Sequence, residues 1–215
     1  LSSLSRLWQL HMIDIHAHLQ DSRLRPFLPQ ALALAKQLGV VTICTSGTSP
    51  TDWHAVASLA QAPQLPELPT IVPAFGVHPW YVESLPNDWA ETLAHFLEAH
   101  PRAMLGECGL DGVRHEISPT IQQTVFETQI QLAKHYQRPL IMHGARIWDR
   151  LLALLRPSAA ALPALVAHSF GGSLETLRAW LAIGGFVSIS GTVCNPRAKR
   201  VRAVAQMTPD DRLLV

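Results

Sequence analysis

The feature that most limits the fold is a repeated alternation of short, apolar, often β-branched runs with Ala/Leu-rich segments, from Met12 to Val215. Apolar runs of four to eight residues bounded by Gly, Pro or Ser read as strands, and longer segments with apolar residues at helical spacing read as helices. Strands are expected over 12–18, 40–44, 70–77, 103–107, 139–143, 164–168 and 185–190, with 212–215 starting an eighth. Helices are expected over 28–38, 51–62, 88–100, from Ser118-Pro119 through Tyr136, over 148–155 and 174–183, and from about 196 to 206. Gly39 sits where the first helix should stop, Asp52 is a candidate N-cap, and Ser118-Pro119 has N-cap and N1 chemistry. Strands alternating with helices imply parallel βα units. Seven complete units and the start of another predict a (β/α)8 TIM barrel, truncated within strand 8, whose active site lies at the C-terminal ends of the strands.

That rule can be checked against the residues themselves. The first run ends in His16-Ala17-His18, the fourth in Glu107, the fifth in His143 and the sixth in His168. A lone His-x-His is weak, because 11 histidines in 215 residues make a chance occurrence unsurprising. Four such endings in register are another matter, since a barrel would bring all of them to one mouth. Four imidazoles and a carboxylate exceed the three protein ligands that one catalytic metal usually takes. They suit two divalent ions, Mg, Mn or Zn, about 3.5–4 Å apart with a shared carboxylate, an arrangement used for water-driven displacement. In this reading His16 and His18 hold one ion, His143 and His168 hold the other, and Glu107 bridges them as the catalytic carboxylate. The remaining His54, His95, His100, His115 and His135 fall in helices or loops and read as surface residues.

Composition narrows the function class. Hydrophobic residues make up 48% and charged residues 15% of the chain, which argues for a compact, largely buried architecture and against disorder. The formal net charge of +1 excludes a broad basic coat, so any polyanion would be held locally, by metal ions or a few clustered basic residues. Arg197, Lys199, Arg200 and Arg202 form one such cluster, and Asn195-Pro196-Arg197 follows strand seven on the active-site side, which makes Arg197 a candidate phosphate contact. Cys44, Cys108 and Cys194 are odd in number and widely spaced, as expected of reduced thiols in a cytoplasmic protein. No apolar stretch approaches the ~18 residues that span a bilayer. Residues 1–11 lack the pattern of a signal peptide and are expected to be an N-terminal extension before a barrel domain over 12–215. Nothing marks an obligate protein partner.

The stretches IDIHAHL, GVHPW, GECGLD, PLIMH, HSFGGS and SGTVCNPRA resemble those of TatD-related deoxyribonucleases, within the metal-dependent amidohydrolase superfamily, in order and spacing from Met12 to Val215. The resemblance implies a (β/α)8 barrel with a divalent two-metal site, hydrolysing phosphodiester bonds of DNA or a related substrate. It maps the family's ligands onto His16, His18, Glu107, His143 and His168, and its substrate-facing histidine onto His78. Asp111 takes the place of the family's GLD aspartate, where a supporting or loop-ordering role is expected; Trp80 of GVHPW can either stack on a base or pack under a loop. Two departures stand out. The family's arginine two positions after the strand-five histidine is replaced by Ala145, with Arg146 following as the alternative phosphate contact. The family's strand eight also leads to a metal-binding, proton-transferring Asp, and this chain ends at Val215 before it. Impaired activity, and exposed edges on strands one and seven, are the corresponding expectations. The alternative is an amidohydrolase-type reaction on another ester or amide, yet the carboxylated Lys common in such barrels has only Lys134 and Lys199 as candidates, neither at a strand end.

Overall fold

The computed structural model describes residues 11–63 and 65–215, so the expected extension at 1–11 lies almost wholly outside the described residues. Eight parallel strands form one sheet in sequence order: β1 (Met12–Ala17), β2 (Val40–Ser46), β3 (Thr70–Phe75), β4 (Met104–Asp111), β5 (Leu140–Ala145), β6 (Leu165–Ala167), β7 (Phe186–Ser188) and β8 (Leu213–Leu214). Between them run α1 (Leu28–Gln37), α2 (Trp53–Gln61), α3 (Trp89–Ala99), α4 (Pro119–His135), α5 (Trp148–Leu155), α6 (Leu174–Ala182) and α7 (Lys199–Met207). This is the expected (β/α)8 arrangement. Among the described residues no helix is long and apolar enough to cross a membrane.

Local chemistry accounts for most boundaries. Gly39 terminates α1 with φ of 93°, a left-handed conformation that a side chain would resist, while its amide donates to the Lys36 carbonyl. Ser118 caps α4 by accepting from the Ile121 amide, with Pro119 at the first helical position. Asp52 precedes α2 without capping it; its carboxylate instead accepts from the Thr48 and Ser49 amides, bracing the turn after β2. Helix α7 begins only at Lys199, so Arg197 lies in the preceding loop, where its amide donates to Asn195 Oδ1. Strand β3 stops at Phe75, two residues early, whereas β4 and β5 run past Glu107 and His143 to Asp111 and Ala145.

The barrel interior is filled by one side chain from each strand: Ile15, Cys44, Ala74, Met104, Ile141, Val166, Phe186 and Leu214. This apolar plug sits below the functional groups and excludes water from their floor. A larger apolar layer, including the fully buried Phe75, Phe126, Leu140 and Trp180, packs between strands and helices. Burying each side chain of this size stabilises by roughly 1.5–3 kcal/mol.

The sheet closes at its last residues. Strand β8 pairs with β7 through Val187↔Leu213 and Ser188↔Leu214. On its other side, the Ile15 amide donates to the Val215 carbonyl at 2.9 Å, and the Val215 amide reaches the Ile13 carbonyl at 3.4 Å. The expectation of bare edges on strands one and seven is therefore corrected: three residues suffice to give both strands a partner.

Candidate metal centre

Every predicted ligand reaches the mouth of the barrel, but not by simple strand alternation. Strand β1 shifts register against β2 between Met12↔Val40 and Ile13↔Thr42, pairs on to Asp14↔Ile43, and shifts again before Ala17↔Thr45. This irregularity, of the kind that re-aims side chains near active sites, turns His16 inward although its neighbour Ile15 also faces the interior. His18 lies just beyond the strand, and the two Nε2 atoms converge to 3.2 Å with the rings perpendicular.

Glu107 is the hub. It is 3% exposed, and its two oxygens face different histidines. Oε2 lies 3.2 Å from His16 Nε2 and 3.5 Å from His18 Nε2. Oε1 lies 2.6 Å from His168 Nε2, 3.3 Å from His143 Nδ1 and 3.4 Å from His78 Nε2. Burial pushes this carboxyl group up, yet the surrounding imidazoles outweigh it and hold it well below the usual carboxylate range. Among the described residues no Lys or Arg pairs with Glu107, so a buried negative charge is compensated by imidazoles alone. A buried charge of this kind requires a proton or a cation beside it.

Hydrogen-bond partners sort the histidines by role. His18 Nδ1 contacts the Ser46 carbonyl at 2.9 Å, which assigns its proton to Nδ1 and leaves a lone pair on Nε2. His143 Nε2 contacts Asp111 Oδ2 at 2.9 Å, which leaves the lone pair on Nδ1, facing Glu107. His78 is the opposite case. Its Nδ1 accepts from the Trp80 amide at 3.1 Å, so Nε2 carries the proton and points at Glu107 as a donor. Although His78, Glu107 and His143 are close enough to form a metal-sized group, as are His16, His18 and Glu107, this tautomer makes His78 a hydrogen-bond donor rather than a ligand. Burial pushes its pKa down to about 4, so it is neutral at physiological pH. His168 stacks on His16 with centroids 3.9 Å apart, and the buried Nδ1 atoms of both have no partner among the described residues.

Burial also lowers the pKa of His16, whereas the hydrogen bond to Glu107 raises that of His18. For His143, burial pulls downward but Glu107 and Asp111 together raise it. Asp111 is itself 4% exposed; burial works against its charge, and hydrogen bonds from Trp80 Nε1, the Val113 amide, His143 and the Arg114 amide hold it ionised. It therefore both braces His143 and orders the turn after β4.

The supporting residues missed in the sequence are two glutamines on α4. Gln129, fully buried, accepts from the Val77 amide and donates to the Val77 carbonyl, fixing the backbone next to His78. Gln122, two helical turns earlier, does the same for Asp111. The signal was available, since both fall on the core-facing stripe of α4 with Val125, Phe126 and Ala133, where an amide must be satisfying buried polar groups. Gly109 of GECGLD also acquires a reason: a Cβ there would lie 2.1 Å from the His143 carbonyl, with φ at 131°. The arginines diverge. Arg146 borders a hollow of about 320 Å³ shared with His143 and His168. Arg197 is exposed and lines neither this hollow nor the larger cavity next to His18 and His78.

Comparison with known proteins agrees with this arrangement. Residues 13–215 match the family described as TatD related DNase. A relative from Pectobacterium parmentieri, named 3'-5' ssDNA/RNA exonuclease TatD, is 35% identical over 205 residues, 95% of this chain and 77% of the relative. One of the same name from Edwardsiella piscicida is 33% identical over 210 residues, with the same coverage. The crystal structure of YJJV, a TatD homologue from Escherichia coli K12, superposes with a TM-score of 0.87 at 30% identity, covering 96% of this chain and 78% of that one. A TatD family hydrolase from Entamoeba histolytica, at 22% identity, a TM-score of 0.83 and coverage of 94% and 72%, shares the fold. With its barrel, its histidine-ringed carboxylate and its match from β1 to the last residue, the chain belongs to the TatD related DNase family.

Proposed function

We propose that this chain hydrolyses phosphodiester bonds of nucleic acid, DNA first among them, with two divalent cations held between its histidines and Glu107. The observation that carries the reading is the division of Glu107: one oxygen toward His16 and His18, the other toward His143 and His168. The donor set fits the ions. His16, His18 and Glu107 stand as one metal-sized group; on the other side His168 reaches Glu107 Oε1 at 2.6 Å and His143 at 3.3 Å, although these three do not yet close to a metal-sized group, and among the described residues no lysine enters the cluster to bridge in place of the carboxylate. His16, His18 and Glu107 would hold one cation; His143, His168 and Glu107 would hold the other. When bound, such ions supply the positive charge that acidifies a water toward neutrality and stabilises charge on a phosphate.

The chain's own residues do the rest. The Ser46 carbonyl and Asp111 fix the rings of His18 and His143, so their lone pairs are preset before a cation arrives. Neutral His78 lines the cavity with its Nε2–H toward Glu107, and can donate to a phosphate oxygen brought there without carrying a charge that would repel cations. Arg146 stands at the rim beside His143, where its guanidinium can meet a phosphate; Arg197 would serve only a strand lying farther out. Residues 12–215 act as one catalytic unit, because the ligands come from β1 as well as from β4 to β6. Its three unpaired cysteines suit a reducing cytoplasm. The test is turnover of a labelled single-stranded DNA oligonucleotide with Mg²⁺, Mn²⁺ or Zn²⁺. Metal-dependent cleavage that EDTA abolishes is expected; cleavage of a carboxylic ester or amide with none of the oligonucleotide would overturn the reading.

A further inference from the structure

Trp80 is the side chain at this site whose exposure the hydrolytic machinery does not explain. It follows His78 and Pro79 in a 3-10 turn (Pro79–Ser84), and 43% of it is open to solvent beside Tyr81 at 42%. Its ring is nevertheless held firmly. The indole N–H donates to Asp111 Oδ2 at 2.8 Å, and its backbone amide donates to His78 Nδ1 at 3.1 Å. The Arg114 guanidinium lies 4.7 Å from the ring centroid, itself neutralised by Glu116 at 2.7 Å. Arg114 does not line the cavity of about 500 Å³ that Trp80 shares with His18, Arg23, His78, Tyr81 and Glu107, so it backs the indole from outside. The cavity thus has the hydrolytic cluster and a fixed aromatic wall side by side, the Trp80 ring 4.9 Å from that of His78 and 6.3 Å from that of His143. Its basic residue, Arg23, is paired with Asp21 at 2.5 Å and is poorly placed to select an anion.

We propose that Trp80, backed by Arg114, is the stacking platform for one unstacked nucleobase of the substrate, set so that the adjoining phosphate lies at Glu107 and His78. An aromatic face is what a single-stranded base recognises independently of sequence, and an arginine behind the ring strengthens the stack. Anchoring the indole to the carboxylate that braces His143 gives the base and the reacting phosphate a common reference, so stacking sets the position at which the strand is cut. This rests on the reading of the chain as a phosphodiesterase.

The experiment uses 5'-labelled single-stranded DNA oligonucleotides carrying one abasic residue at each of the three terminal positions in turn, with the intact strand as reference. Both cleavage with Mn²⁺ and equilibrium binding by fluorescence anisotropy are measured. For the unaltered protein, loss of the base at one position is expected to cut cleavage and binding about tenfold or more, the usual scale of one base–aromatic stack. Trp80→Ala is expected to treat intact and abasic strands alike. Trp80→Phe keeps a ring but loses the N–H to Asp111, and it is expected to retain most of the base preference even where its overall rate falls. The proposal is overturned if no abasic position matters, or if Trp80→Ala keeps the unaltered protein's preference. A Trp80→Phe variant as indifferent to the base as Trp80→Ala would overturn it too, and would assign Trp80 to holding Asp111 alone. If no oligonucleotide is cut, the phosphodiesterase reading fails, while the binding pattern still decides the stacking platform.

Discussion

The two sides of Glu107 are built differently. On the Oε1 side, His143 is braced by Asp111, which is itself held by Trp80 and two backbone amides, and the neighbouring His78 is fixed through Val77 by Gln129. On the Oε2 side, His18 has a side chain 40% exposed and rests on a single carbonyl, Ser46; His16 and His168, one on each side, both leave Nδ1 without a partner among the described residues, so the difference lies in the bracing of His143 against that of His18. Preorganised ligands cost less ordering when a cation binds, and outer contacts of this kind are worth about 10–100-fold in affinity. The difference teaches that the His143 and His168 side should hold its cation more tightly.

The largest effect expected is from Glu107→Gln, which removes the charge common to both sides. Oligonucleotide cleavage should fall by about 10³-fold or more, as for loss of several kcal/mol of stabilisation at a metal site; a variant retaining a tenth of the activity would contradict a bridging role. Asp111→Asn should sharpen the contrast: affinity for the ion on the Oε1 side drops about 10–100-fold, with the other unchanged, measured by Mn²⁺ titration. Equal losses at both would show that the sides are not separately supported. Gln129→Leu leaves the Val77 amide and carbonyl unpaired, and should cost about 1–3 kcal/mol in denaturant unfolding. Stability equal to the unaltered protein would remove Gln129 from the frame.

The smallest expected effect is on proton linkage. His18 and His143 hold protons to higher pH than an ordinary imidazole, through Glu107 in the first case and through Glu107 and Asp111 against burial in the second. Protons and cations compete for the same nitrogens, so affinity should fall as pH drops through those raised values and level off above them. Calorimetry in buffers of differing ionisation heat should register proton release on binding; release of none would contradict the assigned nitrogens.

Much of this was legible in the sequence, for a physical reason: parallel strands buried on both faces must be near-continuous apolar runs, and the rule that barrel sites lie at strand ends turned four run endings into one cluster. What was not legible depends on packing between distant segments. The register shift that turns His16 inward needs β2 as its partner. The donor role of His78 follows from an amide two residues away held in a 3-10 turn, and no propensity encodes that tautomer. Asp52 looked like a helix cap because cap and turn-bracing aspartates have the same local sequence. Closure at Val215 rests on two hydrogen bonds to residues some 200 positions earlier.

The central claim is that one carboxylate joins two cation sites of unequal strength. Calorimetric titration of the metal-stripped chain with Mn²⁺ tests it most directly. The account predicts two ions per chain in two affinity classes, both abolished by Glu107→Gln. A single ion per chain, or a Glu107→Gln variant that keeps one site at full affinity, would contradict it.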